Sequence, residues 1–371
     1  MPISDKLLDD ILLSMVEGIG SRTAQQLLER FGSSTAILNA SRNELNNFAF
    51  LKPDTISQLV SARKNLNPLL AADLCERQGI DILSIRDKNY PEPLRTIADP
   101  PQILYVRGQL LPQDAFSIAV IGTRRCTSYG TRLTEKLTTA LVHHGLTIIS
   151  GLALGIDGIA HRTALKHGGR TIAVLGSGFN KVYPPEHTDL AEEIVAQGGA
   201  LLSEYPPLHS WAKWTFPQRN RIVSGLSLGV LVIEAPLRSG AMISARLAGE
   251  QGRDIFAVPG RIDATASQGC HQLIKNGAYL TESADDILNV LGPLRQPVLL
   301  FDKNKILRHP NEVSINDIEE RVLQCVATNT TELETIVSQS GLELHQVIAA
   351  LDVLECKRII RQLSPSTFVR I

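Results

Sequence analysis

The sequence lacks the patterns that are typical of a protein with disulfide bonds, a structural metal or a membrane-spanning helix. Its five cysteines form no CxxC pair and no zinc-ligand spacing, which favours reduced thiols over disulfides or a structural metal. No apolar run approaches the roughly 20 residues of a membrane span, and no N-terminal signal-peptide pattern is visible. We therefore expect a cytoplasmic protein without membrane contact, and nothing in the sequence requires a metal or a cofactor.

The sequence also lacks an excess of positive charge. Lysine and arginine total 37 against 38 acidic residues, which leaves a net charge of −1. No global field draws polyanions to such a chain, so any polyanion site must be a local patch. One segment does concentrate cations, an amide and aromatic rings. Its members are Trp211, Lys213, Trp214, Phe216, Arg219, Asn220 and Arg221.

The first part of the chain predicts small helices followed by a connector. Residues 1–66 predict a helical domain of the helix-hairpin-helix or SAM-like kind, with Gly18-Ile19-Gly20 between two helices and Ser21 placed to cap the second. Such a turn either binds a phosphate through free N–H groups or only packs, and both interpretations stay open. Residues 67–111 predict a connector with some structure of its own, in which the proline-rich stretch at residues 90–108 is extended.

The central segment, residues 112–291, predicts an α/β domain. Apolar, β-branched runs such as FSIAVIGT and LGVLVIEA alternate with helical segments. Continuous apolar runs indicate strands that are buried on both faces between layers of helices. We predict a Rossmann-like, doubly wound parallel sheet, with ligands bound at the carboxyl ends of its strands.

The loops at the predicted strand ends suit anions. Gly122 precedes Arg124 and Arg125, Gly151 follows another strand, and Ser239-Gly240 begins a helix. The sequence GSGFNK lacks the third glycine of a dinucleotide fingerprint. Several anion sites beside aromatic rings favour single-stranded nucleic acid over one pyrophosphate. The alternative is that Trp211 and Trp214 fill the core, that the glycines are ordinary turns, and that one of the two arginines, Arg219 or Arg221, anchors a buried carboxylate such as Glu234.

No nucleophile–base constellation follows from the sequence. Asp157 and His161 lie four residues apart on a predicted helix without a third metal ligand, so a capping aspartate beside a packed histidine is the preferred interpretation. Glu204 and Glu234 end separate strands, where each serves either as a catalytic carboxylate or as an acceptor for a loop. We therefore predict no enzyme, and a Rossmann-like nucleotide-binding or nucleotide-hydrolysing enzyme remains the alternative function.

Long motifs resemble the DprA (Smf) family of bacterial DNA-processing proteins. They include SGLALGIDGIAH at residues 150–161, FPQRNRIVSGLS at 216–227 and EAPLRSGAMISARLAGEQGRDIFAVPG at 234–260. The similarity runs nearly continuously over residues 85–290. It implies a protein that binds and protects single-stranded DNA during natural transformation and helps to load the RecA recombinase, without catalytic turnover. The segment EAPLRSGAMIS lacks the GGxGT run of related nucleotide hydrolases, which counts against the enzyme alternative.

The resemblance implies roles for individual residues. Arg124, Lys213, Arg219 and Arg221 would contact phosphates, and Phe216 would stack on a base. Together with the strand-end loops, these roles give the expected nucleic-acid site, which is Gly122, Arg124, Gly151, Lys213, Phe216, Arg219, Asn220, Arg221, Ser239 and Gly240. Pro185 stands where several family members have a basic residue, so one phosphate contact is either missing or moved to Lys181.

The resemblance also implies a homodimer that forms through the Rossmann-like domain. The segment at residues 269–280 is similar to the family's dimer surface, and it contains His271, Leu273 and Ile274. Their side chains are either interface or plain core, and the sequence leaves both open.

The C-terminal segment is acidic. After a predicted linker at residues 292–311, residues 312–371 predict three helices and two short strands, which is the order of a winged helix-turn-helix. Residues 312–371 contain five basic and nine acidic residues, which gives this segment a net charge of −4. A helix that enters a major groove needs to be far more basic. We therefore expect this domain to contact protein or to shield the DNA site.

Overall fold

The computed structural model describes residues 4–291, 317–326, 331–356, 360–364 and 367–370. Residues 4–291 belong to one compact unit, and the described residues from 317 onward belong to a second. The predicted linker at 292–311 lies outside the described residues. Among the described residues, no helix is both long enough and apolar enough to cross a membrane.

Six helices begin the first unit: α1 (Asp5–Ser14), α2 (Ser21–Phe31), α3 (Ser34–Asn39), α4 (Arg42–Asn46), α5 (Pro53–Asn65) and α6 (Pro68–Arg77). The glycine turn between α1 and α2 is packed, since a Cβ at Gly18 would overlap Thr55. Gly20 is the N-cap of α2 and makes no side-chain cap. The expected cap at Ser21 was therefore wrong: Ser21 is already helical, and its hydroxyl accepts a hydrogen bond from Arg221.

Nine strands form one sheet in the order β1-β2-β6-β5-β4-β3-β7-β8-β9. The strands are β1 (Ile80–Ser84), β2 (Ile103–Gly108), β3 (Ser117–Ile121), β4 (Thr147–Ser150), β5 (Thr171–Val174), β6 (Ala200–Ser203), β7 (Gly229–Val232), β8 (Asp254–Ala257) and β9 (Tyr279–Leu280). The seven strands from β3 to β9 pair in parallel. The first two pair antiparallel at one edge, so residues 67–111 contribute two strands to the sheet and are more than a connector.

Helices cover both faces of the sheet. They are α7 (Glu92–Arg95), α8 (Ser128–His143), α9 (Ile156–Lys166), α10 (Thr188–Ala196), α11 (Thr215–Leu226), α12 (Gly240–Glu250), α13 (Gln268–Lys275) and α14 (Ala284–Leu291). Alternate residues of β3 belong to different cores. Ala119 packs in the cluster that includes α11, α12 and α13, whereas Ile118 packs in the cluster that includes α8, α9 and α14. This arrangement confirms the predicted doubly wound α/β fold.

The position of β3 creates a crevice. Its neighbours are β4 on one side and β7 on the other, so the connections that leave these strands run in opposite directions along the sheet. Ligands of open α/β sheets bind at such a switch point, outside the carboxyl ends of the strands.

The second unit contains α15 (Asp317–Cys325), β10 (Thr331–Glu332), α16 (Leu333–Ser340), α17 (Leu344–Cys356), β11 (Ile360–Ser364) and β12 (Thr367–Arg370). Its three strands form an antiparallel sheet in the order β10-β12-β11. Val322, Ile336, Leu351 and Phe368 lie in a separate hydrophobic core.

Candidate nucleic-acid interface

A groove with a volume of about 890 Å³ opens at the switch point. Its walls come from the loops after β3, β4 and β7, from the start of α11 and from the start of α12. Nine of the ten residues predicted for the site line it, and Arg221 is the exception. The nine are Gly122, Arg124, Gly151, Lys213, Phe216, Arg219, Asn220, Ser239 and Gly240.

Four exposed cations line this groove: Arg124, Arg125, Lys213 and Arg238. No carboxylate of the described residues forms an ion pair with any of them, whereas Arg246 and Arg261 are paired with acidic neighbours. The Arg124 guanidinium lies over the Phe216 ring, 5.4 Å from its centroid. Unpaired positive charge is therefore concentrated here in a chain that is nearly neutral overall.

Arg219 forms a buried part of the groove lining. The residue is only 4% exposed, and its Nη1 donates a 2.7 Å hydrogen bond to the carbonyl oxygen of Val174. Its Nε has no hydrogen-bond partner in the described structure. Burial lowers the pKa of Arg219 to about 10, so the side chain stays protonated at neutral pH.

Gly151 makes room for this arginine. A Cβ on Gly151 would overlap the Arg219 guanidinium, so the strand-end loop admits only glycine at this point if the arginine keeps its place. The Asp157 carboxylate accepts hydrogen bonds from the backbone N–H groups of Gly151 and Ala153, at 3.2 and 3.4 Å. Burial raises the pKa of Asp157, while the charge of Arg219 opposes that shift. Asp157 therefore closes the loop that supports Arg219.

Asp157 and His161 do not form a metal site. His161 is buried, and its Nδ1 lies 2.7 Å from the Thr171 hydroxyl. Among the described residues, no group of three His, Cys, Asp or Glu side chains is placed to hold a metal ion. The expected capping role of Asp157 was wrong, because Gly155 is the N-cap of α9 and no side chain caps this helix. Asp157 instead holds the loop that precedes the helix, and His161 is packed as expected.

Three aromatic rings line the same groove. Tyr183 contacts Trp211 and Phe216, with centroid distances of 4.4 and 5.3 Å, and Trp211 lies 6.1 Å from Phe216. Trp211 is 44% exposed, so the alternative that it fills the core is wrong. Tyr183 was absent from the predicted site, although it lies only two residues before Pro185.

Arg221 lies outside the groove and is fully engaged elsewhere. Its guanidinium donates two hydrogen bonds to Glu204, at 2.9 and 2.6 Å, and others to the Asp99 carbonyl and the Ser21 hydroxyl. Residues 219 and 221 are about 200° apart around a helix of 3.6 residues per turn, so they face opposite sides of α11. The prediction that Arg221 contacts phosphate is therefore replaced by a structural role.

One arginine does anchor a carboxylate, but its partner is not the one expected. Arg221 pairs with Glu204. Glu234 instead accepts hydrogen bonds from the Thr127 backbone N–H at 2.9 Å and from its hydroxyl at 2.5 Å. Both candidate catalytic carboxylates are thus occupied in holding the fold.

The start of α12 forms another part of the groove. The Ser239 side chain caps this helix by accepting a hydrogen bond from the Met242 N–H at 3.4 Å. The Asn220 side chain donates to the Gly240 carbonyl oxygen at 3.4 Å, which connects α11 with α12. Lys181, the alternative phosphate contact, donates to Ser210 and is not among the groove-lining residues.

The proposed dimer residues differ in exposure. Leu273 is 8% exposed and belongs to the core of its own chain, so it is withdrawn from the expected interface. Ile274 packs partly against the same core. The His271 Nε2 lies 3.0 Å from the Gly260 carbonyl oxygen. The last two side chains stay a prediction for a dimer surface.

The comparisons with known proteins agree with one another. The family model for DNA recombination-mediator protein A matches residues 81–292. Protein Smf of Synechocystis is 34% identical over 379 residues, which cover 94% of this chain and 95% of the relative. Protein Smf of Escherichia coli is 38% identical, with 81% of each chain covered.

Two solved structures are also similar. DNA processing protein A (DprA) of Streptococcus pneumoniae superposes with a TM-score of 0.65 at 34% identity, over 78% of this chain and 98% of that one. DprA of Helicobacter pylori, whose structure is described as showing a single-stranded DNA binding mode, has a TM-score of 0.52 at 35% identity. It covers 58% of this chain and 96% of the relative. Because the family model matches more than half of the residues, this chain belongs to the DNA recombination-mediator protein A family, the DprA (Smf) proteins.

Proposed function

We propose that the groove binds single-stranded DNA without sequence preference, and that the protein thereby protects the strand. The observation that carries this proposal is the combination of four unpaired cations, a buried arginine and three rings along one crevice. Cations follow the phosphate backbone, and rings stack on bases of any identity. A duplex hides the faces of its bases, so the rings favour an unpaired strand. The DNA-binding relative from H. pylori supports the same ligand.

The proposal includes binding without turnover. Glu204 is held by Arg221, Glu234 by Thr127, and Asp157 by backbone N–H groups. A carboxylate that already accepts several hydrogen bonds is poorly placed to act as a general base. These contacts favour a binding protein over the alternative of a nucleotide-hydrolysing enzyme.

We also propose the partners that the family resemblance implies. As a recombination mediator, the protein would help to load RecA onto the bound strand during DNA uptake in the cytoplasm. It would act as a homodimer that forms through the domain containing the groove. The second unit would be a winged helix that contacts protein, because its sequence is acidic.

Charge reversal in the groove tests the proposal. We expect Arg124→Glu or Lys213→Glu to weaken binding of a labelled oligo-dT strand about tenfold or more, because each change removes a phosphate contact and adds repulsion. Arg22→Glu is the matched control, since Arg22 is exposed but lies at Asp99, away from the groove. Fluorescence anisotropy measures all three, and equal affinity of the Arg124→Glu protein would refute the assignment.

The dependence on salt adds a second measurement. Single strands lose affinity with a slope of about −0.7 per neutralised phosphate in a plot of log K against log salt. Five cations therefore set a limit of about −3.5 for one groove. Each charge-neutralising change should reduce the slope by about 0.7, and a slope near zero would contradict phosphate binding.

A further inference from the structure

One aromatic residue of the cation-rich segment lies outside the groove. Trp214 is 54% exposed and does not line the groove, although its neighbour Lys213 and nearby Trp211 do. It directly precedes α11 and is the N-cap residue of that helix. The alternative that this tryptophan fills the core is therefore wrong, and a large ring stands beside the groove with no role in it.

The ring is held from one side. Its centroid lies 6.0 Å from that of Tyr205 and 6.2 Å from that of His209, with interplanar angles of 79° and 73°. Tyr205 and His209 stack on each other at 4.5 Å. The Trp214 ring therefore meets both members of the stack at steep angles, while more than half of the residue is exposed.

The support behind Trp214 is itself fixed. Tyr205 is buried, and its hydroxyl donates a 2.9 Å hydrogen bond to the Gln218 side chain. The His209 carbonyl accepts a 2.8 Å hydrogen bond from the Gly178 N–H. Burial lowers the pKa of His209 and so favours the neutral form of the ring. A preorganised ring loses little conformational entropy on binding, as a stacking platform requires.

We propose that Trp214 is a second stacking platform, which receives a base of the bound single strand just outside the groove, next to Lys213. The inference rests on the proposed function and extends it. The rings of Tyr183, Trp211 and Phe216 serve bases within the groove, while Trp214 lengthens the strand that one protomer holds. A nucleobase is the occupant because the platform is continuous with the cationic groove through Lys213.

The two tryptophans of the chain make the platform directly observable. Trp211→Phe leaves Trp214 as the only indole, and Trp214→Phe leaves Trp211. We expect oligo-dT to quench both single-tryptophan proteins, with the quenching of Trp214 requiring a longer strand than that of Trp211. A length series around the roughly 4–16 nucleotides of known single-strand sites covers the range. A strand with abasic sugars in place of its bases should bind without quenching Trp214.

Affinity supplies an independent readout. Trp214→Ala should weaken binding of the long strand about fivefold or more while leaving the shortest bound strand unaffected, as expected for one lost base stack. Trp214→Phe should recover most of the loss because it restores a ring.

The two proposals fail in different ways. Suppose that oligo-dT binds and quenches Trp211, but leaves the Trp214 emission unchanged at every strand length, and that Trp214→Ala binds as tightly as the unaltered protein. The stacking platform is then refuted, while the proposal that the groove binds DNA is retained. Quenching of Trp214 that persists with the abasic strand also refutes the platform. If the unaltered protein binds no oligonucleotide at low salt, both proposals fall.

Discussion

Because Gly151 has no side chain, the charged guanidinium of Arg219 can lie beside it in the groove wall. The guanidinium occupies the space that a Cβ of residue 151 would take, and from there it reaches the Val174 carbonyl. The arginine is almost completely buried, so in this structure its charge is held at one point of the groove wall. The position of the Arg219 charge in the groove therefore depends on Gly151 as much as on the arginine itself.

We predict that Gly151→Ala weakens single-strand binding about tenfold, because displacing Arg219 costs a charge-assisted contact of about 1.5–3 kcal/mol. Anisotropy with oligo-dT measures the loss, and circular dichroism confirms that the protein is folded. Gly249→Ala is the control, since its Cβ would meet only the Ile255 side chain at an ordinary 3.6 Å. Unchanged affinity of Gly151→Ala would show that Arg219 makes no contact with DNA.

At the scale of the element, α11 has two separate tasks. One face carries Phe216, Arg219 and Asn220 to the groove. The other face carries Arg221 to Glu204 at the end of β6 and to Ser21 at the start of α2. The same helix thus presents the ligand surface and ties the N-terminal helices to the sheet.

Removing Arg221 should affect folding and leave DNA recognition intact. We expect Arg221→Met to lower the free energy of unfolding by about 3–5 kcal/mol, because Glu204 is left in a largely buried place without its partner. Urea denaturation measures this loss, and adding Glu204→Gln should recover part of it. The exposed pair Arg246–Glu250 is the control, and Arg246→Met should cost less than about 1 kcal/mol. A changed salt slope for DNA binding in Arg221→Met would contradict a purely structural role.

For the molecule as a whole, charge is distributed by unit. The net charge of −1 is a sum over the whole chain, which includes a cationic groove in the first unit and an acidic C-terminal segment. The described residues of the two units have separate hydrophobic cores. Every residue that lines the groove lies between positions 121 and 266, so we expect DNA binding to need no residue of the second unit.

A shortened chain tests this division. We predict that the protein ending at residue 298, where the units divide, binds oligo-dT with the affinity of the full chain. We expect the acidic second unit to contribute no phosphate contacts, so deleting it should also leave any duplex affinity in place. Anisotropy with matched single and double strands compares the two lengths, and lost duplex affinity would identify the C-terminal unit as a duplex reader.

The class of fold and the location of the site followed from local patterns. Continuous apolar runs that end in glycine or serine indicated buried parallel strands, and the loops after them indicated the anion-binding edge. Nine of ten predicted site residues line one groove because these patterns and the family resemblance indicated the same edge of the sheet. The two antiparallel edge strands were missed because the proline-rich segment around β2 shows no alternating pattern.

What the sequence by itself determined is the sheet, the edge at which ligands bind and the residue types available there, since periodicity and strand-end glycines are local properties of the chain. The tertiary structure alone decided which cations are free. Arg219 and Arg221 are two residues apart and chemically identical. Arg219 lines the groove, whereas Arg221 forms an ion pair with Glu204. Their roles differ because an ion pair requires a carboxylate close to the guanidinium. The fold decides which carboxylates from distant parts of the sequence come that close, and local sequence patterns carry no information about it.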